Sequence, residues 1–255
     1  MNRFFVDPSD AQGDLVRIAD PGDVAHLVRV LRVRPGERAI AVAAGEELVF
    51  EVLRLEAAEV VGRVVSRTRP RREPPLRVIL VQGLPKTDKM DLVVQKATEL
   101  GVSGIVPVHT ERSVKRLEDG RAEPKLRRWR RIARESARQS GRLAIPDVRE
   151  VTDLETALQA AAQAGSLLLF PWEQEGGRGL REILQAAPEP RPSVHLFIGP
   201  EGGFSPAEAE LAQRAGAWRV SLGPRILRTE TAGLAALAMV LYELGDLGRP
   251  GEVPG

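Results

Sequence analysis

The sequence predicts an α/β protein in two domains, a small β-barrel over residues 1–68 and a parallel sheet covered by helices over residues 74–249. Three observations predict it. Short β-rich runs and one helix occupy the first 65 residues, and strands that short suit a small barrel. Residues 66–75 are polar, basic and rich in proline, which marks a linker. Beyond them, apolar runs of strand length alternate with helical periodicity, the pattern of a parallel sheet between helices.

Taken in order, Asp20-Pro21-Gly22-Asp23 opens a helix in which Val24, Leu27, Val28 and Leu31 share a face, with His26, Arg29 and Arg32 on the other side. After the turn at residues 34–37, strands are expected at 39–43, 48–55 and 60–65. In the second domain the strand runs are 76–81, 104–108, 166–170, 194–198 and 219–222. Asp88 is placed to cap a helix whose Met90, Val93, Val94, Ala97 and Leu100 form one face before Gly101 stops it. Ser205-Pro206-Ala207-Glu208 spells a capping box with proline at the first helical position, and Gly216 ends that helix. The last helix runs over 231–244. Its Leu234, Leu237, Leu241 and Leu244 face either the protein's own core or a second copy of the chain.

Composition narrows the chemistry. The chain has 255 residues, 43% hydrophobic and 28% charged, and no apolar run approaches the roughly 20 residues needed to cross a bilayer. Its first 13 residues are too polar and acidic for a signal peptide, so a cytoplasmic protein with no membrane partner is expected. With no cysteine and only His26, His109 and His195, neither a metal site nor a Ser/His/Asp triad is expected. The net charge is +2, yet the basic residues are 32 arginines and 5 lysines. Between residues 111 and 142 there are 12 basic against 5 acidic residues, a patch suited to a polyanion.

No glycine fingerprint of a dinucleotide or P-loop site is present. Three strand runs instead end in unusual loops: Phe170-Pro171-Trp172-Glu173; Gly199-Pro200-Glu201-Gly202-Gly203-Phe204; and Leu222-Gly223-Pro224-Arg225-Ile226-Leu227-Arg228, which continues into Thr229-Glu230-Thr231-Ala232. In parallel sheets the ligand crevice lies outside the carboxyl ends of the strands. An apolar Ile226-Leu227 pair between arginines suits a flat heterocycle and an anionic substrate. A tight, purely structural connection would also account for the second loop.

These segments are distinctive in combination. Leu-Phe-Ile-Gly-Pro-Glu-Gly-Gly-Phe-Ser at 196–205 and Leu-Gly-Pro-Arg-Ile-Leu-Arg-Thr-Glu-Thr-Ala at 222–232 closely resemble the 16S rRNA uracil-1498 N3-methyltransferase family, of the SPOUT class of S-adenosylmethionine-dependent RNA methyltransferases. Asn2-Arg3-Phe4-Phe5, the stretch from His26 to Arg32, Lys86-Thr87-Asp88-Lys89-Met90-Asp91 with residues 96–101, and residues 135–142 resemble that family's motifs in the same order. The tail at 249–255 has no counterpart in the resemblance.

The resemblance implies a PUA-like N-terminal barrel for RNA, a C-terminal SPOUT domain threaded into a deep trefoil knot, and a homodimer. Knots are so rare that periodicity alone would not suggest one. It also implies S-adenosylmethionine as cofactor, held among Phe170, Pro171, Trp172, Glu173, Ile198, Gly199, Pro200, Glu201, Gly202, Leu222, Gly223, Pro224, Ile226, Leu227 and Arg228, with Thr231 and Ala232 closing the pocket. The implied partner is 16S rRNA or the small ribosomal subunit. Methylating N3 of uracil requires loss of an imide proton. Arg228 is the candidate to stabilise charge on the uracil oxygens, and Glu201 or Glu230 to accept the proton. Glu230 could instead merely favour a helix N-terminus and pair with Arg228.

Candidate RNA contacts are Arg3, Arg29, Arg32, Lys86, Lys115, Arg116, Arg130, Arg134, Arg138 and Arg142. In the basic segment, Leu126, Trp129, Ile132, Ala133 and Ala137 form an apolar face from which the arginines project. Two other functions fit in part: a SPOUT enzyme for another RNA, which would not need the N-terminal motifs, and a non-catalytic RNA-binding assembly factor, which would not need three glycine- and proline-rich loops.

Overall fold

A computed structural model of the chain describes residues 1–86, 88–113, 122–173, 178–186 and 192–249. Two compact units are present, one of Met1–Glu73 with Ala137–Ala144, the other of Pro74–Ser136 with Ile145–Pro250.

The first unit is built on strands β1 (Arg3–Phe5), β2 (Leu15–Ile18), β3 (Arg38–Ala43), β4 (Glu46–Leu55) and β5 (Val60–Thr68), in the order β1-β3-β4-β5-β2. The expected barrel is therefore a curled five-stranded half-barrel, since β1 and β2 end the sheet without pairing with each other. β1 lies parallel to β3, and the other pairs are antiparallel. Register shifts at Val49/Phe50 and Val52/Arg54 interrupt the β4–β5 ladder, and such bulges increase local twist. Gly62 is obligatory there, because a Cβ would stand 2.2 Å from the Phe50 ring. Phe4, Val16, Ile18, Leu27, Leu48, Phe50 and Val60 fill the inner face.

Between β2 and β3 the expected helix is split. α1 (Pro21–Ala25) is capped by Asp20, whose carboxylate accepts the Asp23 N–H at 2.9 Å, and it continues as a π-helical turn over His26–Val30. Arg32 follows at φ +52°.

The second unit carries β6 (Val78–Gly83), α2 (Lys89–Leu100), β7 (Gly104–His109), α3 (Ala122–Gln139) up to Ser136, β8 (Asp147–Val148), β9 (Thr152–Asp153), α4 (Leu154–Gln163), β10 (Leu167–Pro171), α5 (Leu180–Ala186), β11 (Val194–Ile198), α6 (Pro206–Arg214), β12 (Trp218–Val220) and α7 (Thr229–Leu244). Its sheet runs β12-β10-β11-β6-β7-β8 with every pair parallel, and β9 also pairs with β7. The strands read as unbroken apolar runs because they are covered on both faces. Leu80, Leu169, Leu196 and Val220 pack with α2 and α7 on one side. Ile79, Val81, Phe170 and Phe197 pack with α4 and α6 on the other.

Helix punctuation follows the sequence with one exception. Both halves of the Ser205/Glu208 capping box form. Asp88 sits at the N-cap of α2 but makes no side-chain cap bond. On α7, Leu237 and Leu241 are fully buried, while Leu234 and Leu244 pack against the same core. The leucine stripe is thus internal, and the apolar residues that α7 exposes are Met239 and Tyr242. No helix among the described residues is long and apolar enough to cross a membrane.

Candidate active site

β12, β10 and β11 are neighbours in the sheet, so their carboxyl ends bring the three loops together. They enclose a cavity of about 840 Å³. Of the expected cofactor residues, Pro171, Trp172, Glu173, Ile198, Gly199, Pro200, Glu201, Leu222, Gly223, Pro224, Ile226, Leu227, Arg228 and Ala232 line it.

Three expected residues lie outside the lining. Phe170 is a core residue, fully buried and stacked on Phe204 at 4.1 Å between ring centroids. Gly202 faces Arg112, whose Nη1 donates to its carbonyl at 2.9 Å. Thr231 is exposed on the first turn of α7. The lining also includes Lys89, Arg178, Gly179, Glu182, Gly203, Phe204, Ser221 and Thr229, none of which was expected to bind a cofactor. Lys89 was detectable in principle, since it follows β6, another parallel strand with its carboxyl end on the same side. Arg178 and Glu182 carry no comparable sequence signal.

Buried hydrogen bonds hold the loops. Gln82 Nε2 donates to Thr229 Oγ1 at 2.9 Å and to the Gly83 carbonyl at 3.0 Å. Thr229 Oγ1 in turn donates to the Gly199 carbonyl at 2.5 Å. The start of α7 is thereby fastened to β6 and to the loop after β11. Glycine permits the close approach: a Cβ on Gly83 would lie 2.7 Å from Pro200 Cδ, and one on Gly233 would lie 3.2 Å from Gln82 Oε1. Two of the glycines expected to hold the cofactor, Gly199 and Gly223, differ in the space around them. A Cβ on Gly199 would meet the Gly203 backbone at 3.0 Å, so that glycine closes its own loop; Gly223, at φ +116°, has open space there.

The charged groups have defined partners. Lys89 Nζ lies 3.1 Å from Glu201 Oε1 and 3.2 Å from Glu230 Oε2. Glu201 also accepts the Lys86 N–H at 3.1 and 3.0 Å. Burial pushes the Glu201 carboxyl up, but the Lys86 N–H and the Lys89 ammonium outweigh it and leave it below the usual carboxylate range. The hydrogen bond to Glu201 is the main cause holding Lys89 above its ordinary value. Arg228, exposed at the N-cap of α7, makes no side-chain cap bond and no ion pair among the described residues. The alternative Arg228–Glu230 pair is therefore not formed. Arg219 lies over the Trp172 ring at 5.2 Å. Among the described residues no group of His, Cys, Asp and Glu could hold a metal ion.

The expected RNA contacts separate into two groups. Arg142 is only 5% exposed; its Nη2 lies 2.5 Å from Glu73, which also accepts the Leu143 N–H at 2.7 Å. Arg3 and Arg72 both pair with the buried Glu47. Arg142 and Arg3 are thus engaged by carboxylates within the first unit. Arg138 lies over the Phe4 ring at 6.0 Å. Arg29, Arg32 and Lys86 are exposed. On α3, Leu126, Trp129, Ala133 and Ala137 are buried as the periodicity requires, leaving Arg130 exposed and Arg134 partly exposed. Arg130 Nε donates to the Val148 carbonyl at 3.0 Å. Lys115 and Arg116 lie outside the described residues. His195, half-buried on β11, is held near 4 by burial and by Arg149 and Arg77.

An RNA methyltransferase domain family model matches residues 72–241. Over 95% of its length the chain is 34% identical to ribosomal RNA small subunit methyltransferase E of Bacillus subtilis, covering 97% of that protein. It is 35% identical to the protein of that name from Mycobacterium tuberculosis over 93% of the chain and 90% of the relative. A crystal structure of ribosomal RNA small subunit methyltransferase E from Neisseria gonorrhoeae bound to S-adenosylmethionine superposes with a TM-score of 0.84 at 33% identity, over 97% of this chain and 99% of that one. The three glycine- and proline-rich loops, the parallel sheet that gathers them and these full-length matches agree: the chain belongs to the RNA methyltransferase family that includes ribosomal RNA small subunit methyltransferase E.

Proposed function

We propose that the protein transfers a methyl group from S-adenosylmethionine to N3 of uridine 1498 in the 16S rRNA of the small ribosomal subunit. The observation that carries this is the cavity at the ends of three adjacent parallel strands, lined by the loops that resemble the family. The residues present fit the cofactor. The volume is that of a small-molecule site, the Gly223 side is open for close approach, and Ile226, 86% exposed, offers a flat ring an apolar contact.

S-adenosylmethionine, when bound, supplies a methyl group carried on a sulfonium sulfur. In this proposal Pro171, Trp172, Glu173, Ile198, Gly199, Pro200, Leu222, Gly223, Pro224, Ile226, Leu227 and Ala232 hold it, largely through backbone groups and apolar contact. The rest of the chemistry belongs to charged side chains. Arg228 is available to stabilise negative charge on the uracil oxygens. Lys89 pairs with both carboxylates, but Glu201 is held in addition by the Lys86 N–H, so in this proposal the less constrained Glu230 accepts the N3 proton. Arg29, Arg32, Lys86, Arg130, Arg134 and Arg138 serve RNA phosphates.

The PUA-like role of residues 1–68, the SPOUT role of 74–249, the deep trefoil knot, the homodimer and a cytoplasmic location belong to the same proposal. Labelled cofactor incubated with unmodified small subunits, followed by mapping of the modified nucleotide, tests it. Label at N3 of that uridine is the expected result; label at another base, in another RNA, or nowhere refutes it.

A further inference from the structure

We infer that Lys89 is a positioning residue for methyl transfer, holding the Glu230 carboxylate in place to receive the imide proton. This rests on the function proposed above and adds a residue to it.

Lys89 is the first residue of α2, and its ammonium stands between carboxylates from two other parts of the unit. Glu201 comes from the loop after β11, and Glu230 from the first turn of α7. Glu201 lines the cavity and Glu230 lies beside it, largely buried, and two carboxylates this close to one another repel unless a cation separates them. A lysine ammonium, a compact charge with three donors, can serve both.

The two carboxylates are not equivalent. Glu201 is held a second time by the Lys86 N–H, so its position survives without Lys89. For Glu230, Lys89 is the sole ion-pair partner among the described residues. The positive end of α7 favours a negative charge at Glu230 but does not choose its rotamer. The selection of where that carboxylate points therefore falls to Lys89, a residue of the cavity wall.

In the reaction, the N3–H bond breaks and its proton passes to Glu230. The nitrogen pair forms the new N–C bond, and the methyl–sulfur bond breaks with its pair left on sulfur. A carboxylate displaced by about 1 Å can cost on the order of 100-fold in rate.

The test measures single-turnover methylation of small subunits at saturating cofactor and RNA, with cofactor affinity followed by calorimetry. Lys89→Met should lower the rate about 10- to 100-fold while the cofactor Kd changes by less than about threefold, and Lys89→Arg should recover most of the loss. Added to Glu230→Gln, Lys89→Met should slow the enzyme by less than about threefold more, since groups acting as one unit are non-additive. Lys89→Gln, measured in parallel with a melting curve for each variant, guards against a Met variant that fails to fold. A wild-type rate in folded Lys89→Met or Lys89→Gln, or the same fold loss with and without Glu230→Gln, overturns the inference. Wild-type protein that methylates no small-subunit RNA refutes the proposed function instead.

Discussion

Replacing Thr229 by valine changes almost no volume and removes one hydroxyl, yet that hydroxyl sits at the centre of the loop fastening. Thr229 is 4% exposed, accepts from Gln82 Nε2 at 2.9 Å and donates to the Gly199 carbonyl at 2.5 Å. In Thr229→Val, Gln82 Nε2 keeps its bond to Gly83, while the Gly199 carbonyl loses this donor. A net hydrogen bond contributes about 1 kcal/mol, and a buried group left unsatisfied costs about 1–3 kcal/mol. A loss near 3 kcal/mol is expected. For a chain of this length that corresponds to roughly 6–12 °C in melting temperature. Thr229→Ser keeps the hydroxyl and gives up one methyl, about 0.8 kcal/mol. The serine variant should thus outlast the valine variant, the reverse of the order that shape alone dictates. Scanning calorimetry with and without S-adenosylmethionine reads both effects, because a loosened Gly199 loop also shrinks the ligand-induced rise in melting temperature. Valine melting within 2 °C of wild type, or serine melting below valine, would refute the role given to this hydroxyl.

Arg228→Ala should lower the single-turnover rate roughly 10²- to 10³-fold, as removing one charge-stabilising donor does elsewhere; an unchanged rate would make Arg228 a binding residue. Arg130→Ala combined with Arg134→Ala should instead weaken RNA binding and flatten the plot of log affinity against log salt by about one unit per charge, read by filter binding across a salt series. Light scattering at micromolar protein should give about twice 27.8 kDa, and a mass near 27.8 kDa would end the dimer proposal. His195 titrates near 4 in the fold against an ordinary 6.5. The unfolded chain therefore binds the extra proton first, and the stability its neutral form contributes is complete above about pH 6.5 and declines toward pH 4. His195→Asn should remove up to one proton of pH dependence from that window in denaturant titrations; an unaltered slope would show that the ring is solvated.

What sequence could show follows from which interactions are local. Strands buried on both faces advertise themselves as apolar runs, and the Ser205/Glu208 box is written within four residues. The strand-end rule for parallel sheets located most of the cavity wall. It over-reached at Phe170, because a residue at a strand end can face either the crevice or the core, and only the stacking on Phe204 decides. β1 and β2, of three and four residues, are too short for periodicity to register. Long-range ion pairs were also beyond reach. Arg142 reads as one more cation in a basic run until Glu73, 69 residues away, is seen against it. Arg3 is similarly claimed by Glu47, 44 residues on.

The fastening of Gln82 to Thr229 spans 147 residues, and β6 finds its neighbour β11 only after most of the second unit has been made. Synthesis at about 5–20 residues per second leaves roughly 7–30 s between the appearance of the first partner and the second. For most of that interval β6 has an unpaired side, because β11 is made only toward its end. A chain broken off before residue 229 would lack the bond that ties the Gly199 loop to the final helix. The cavity, whose wall comes from both ends of the second unit, therefore closes only once α7 has left the ribosome.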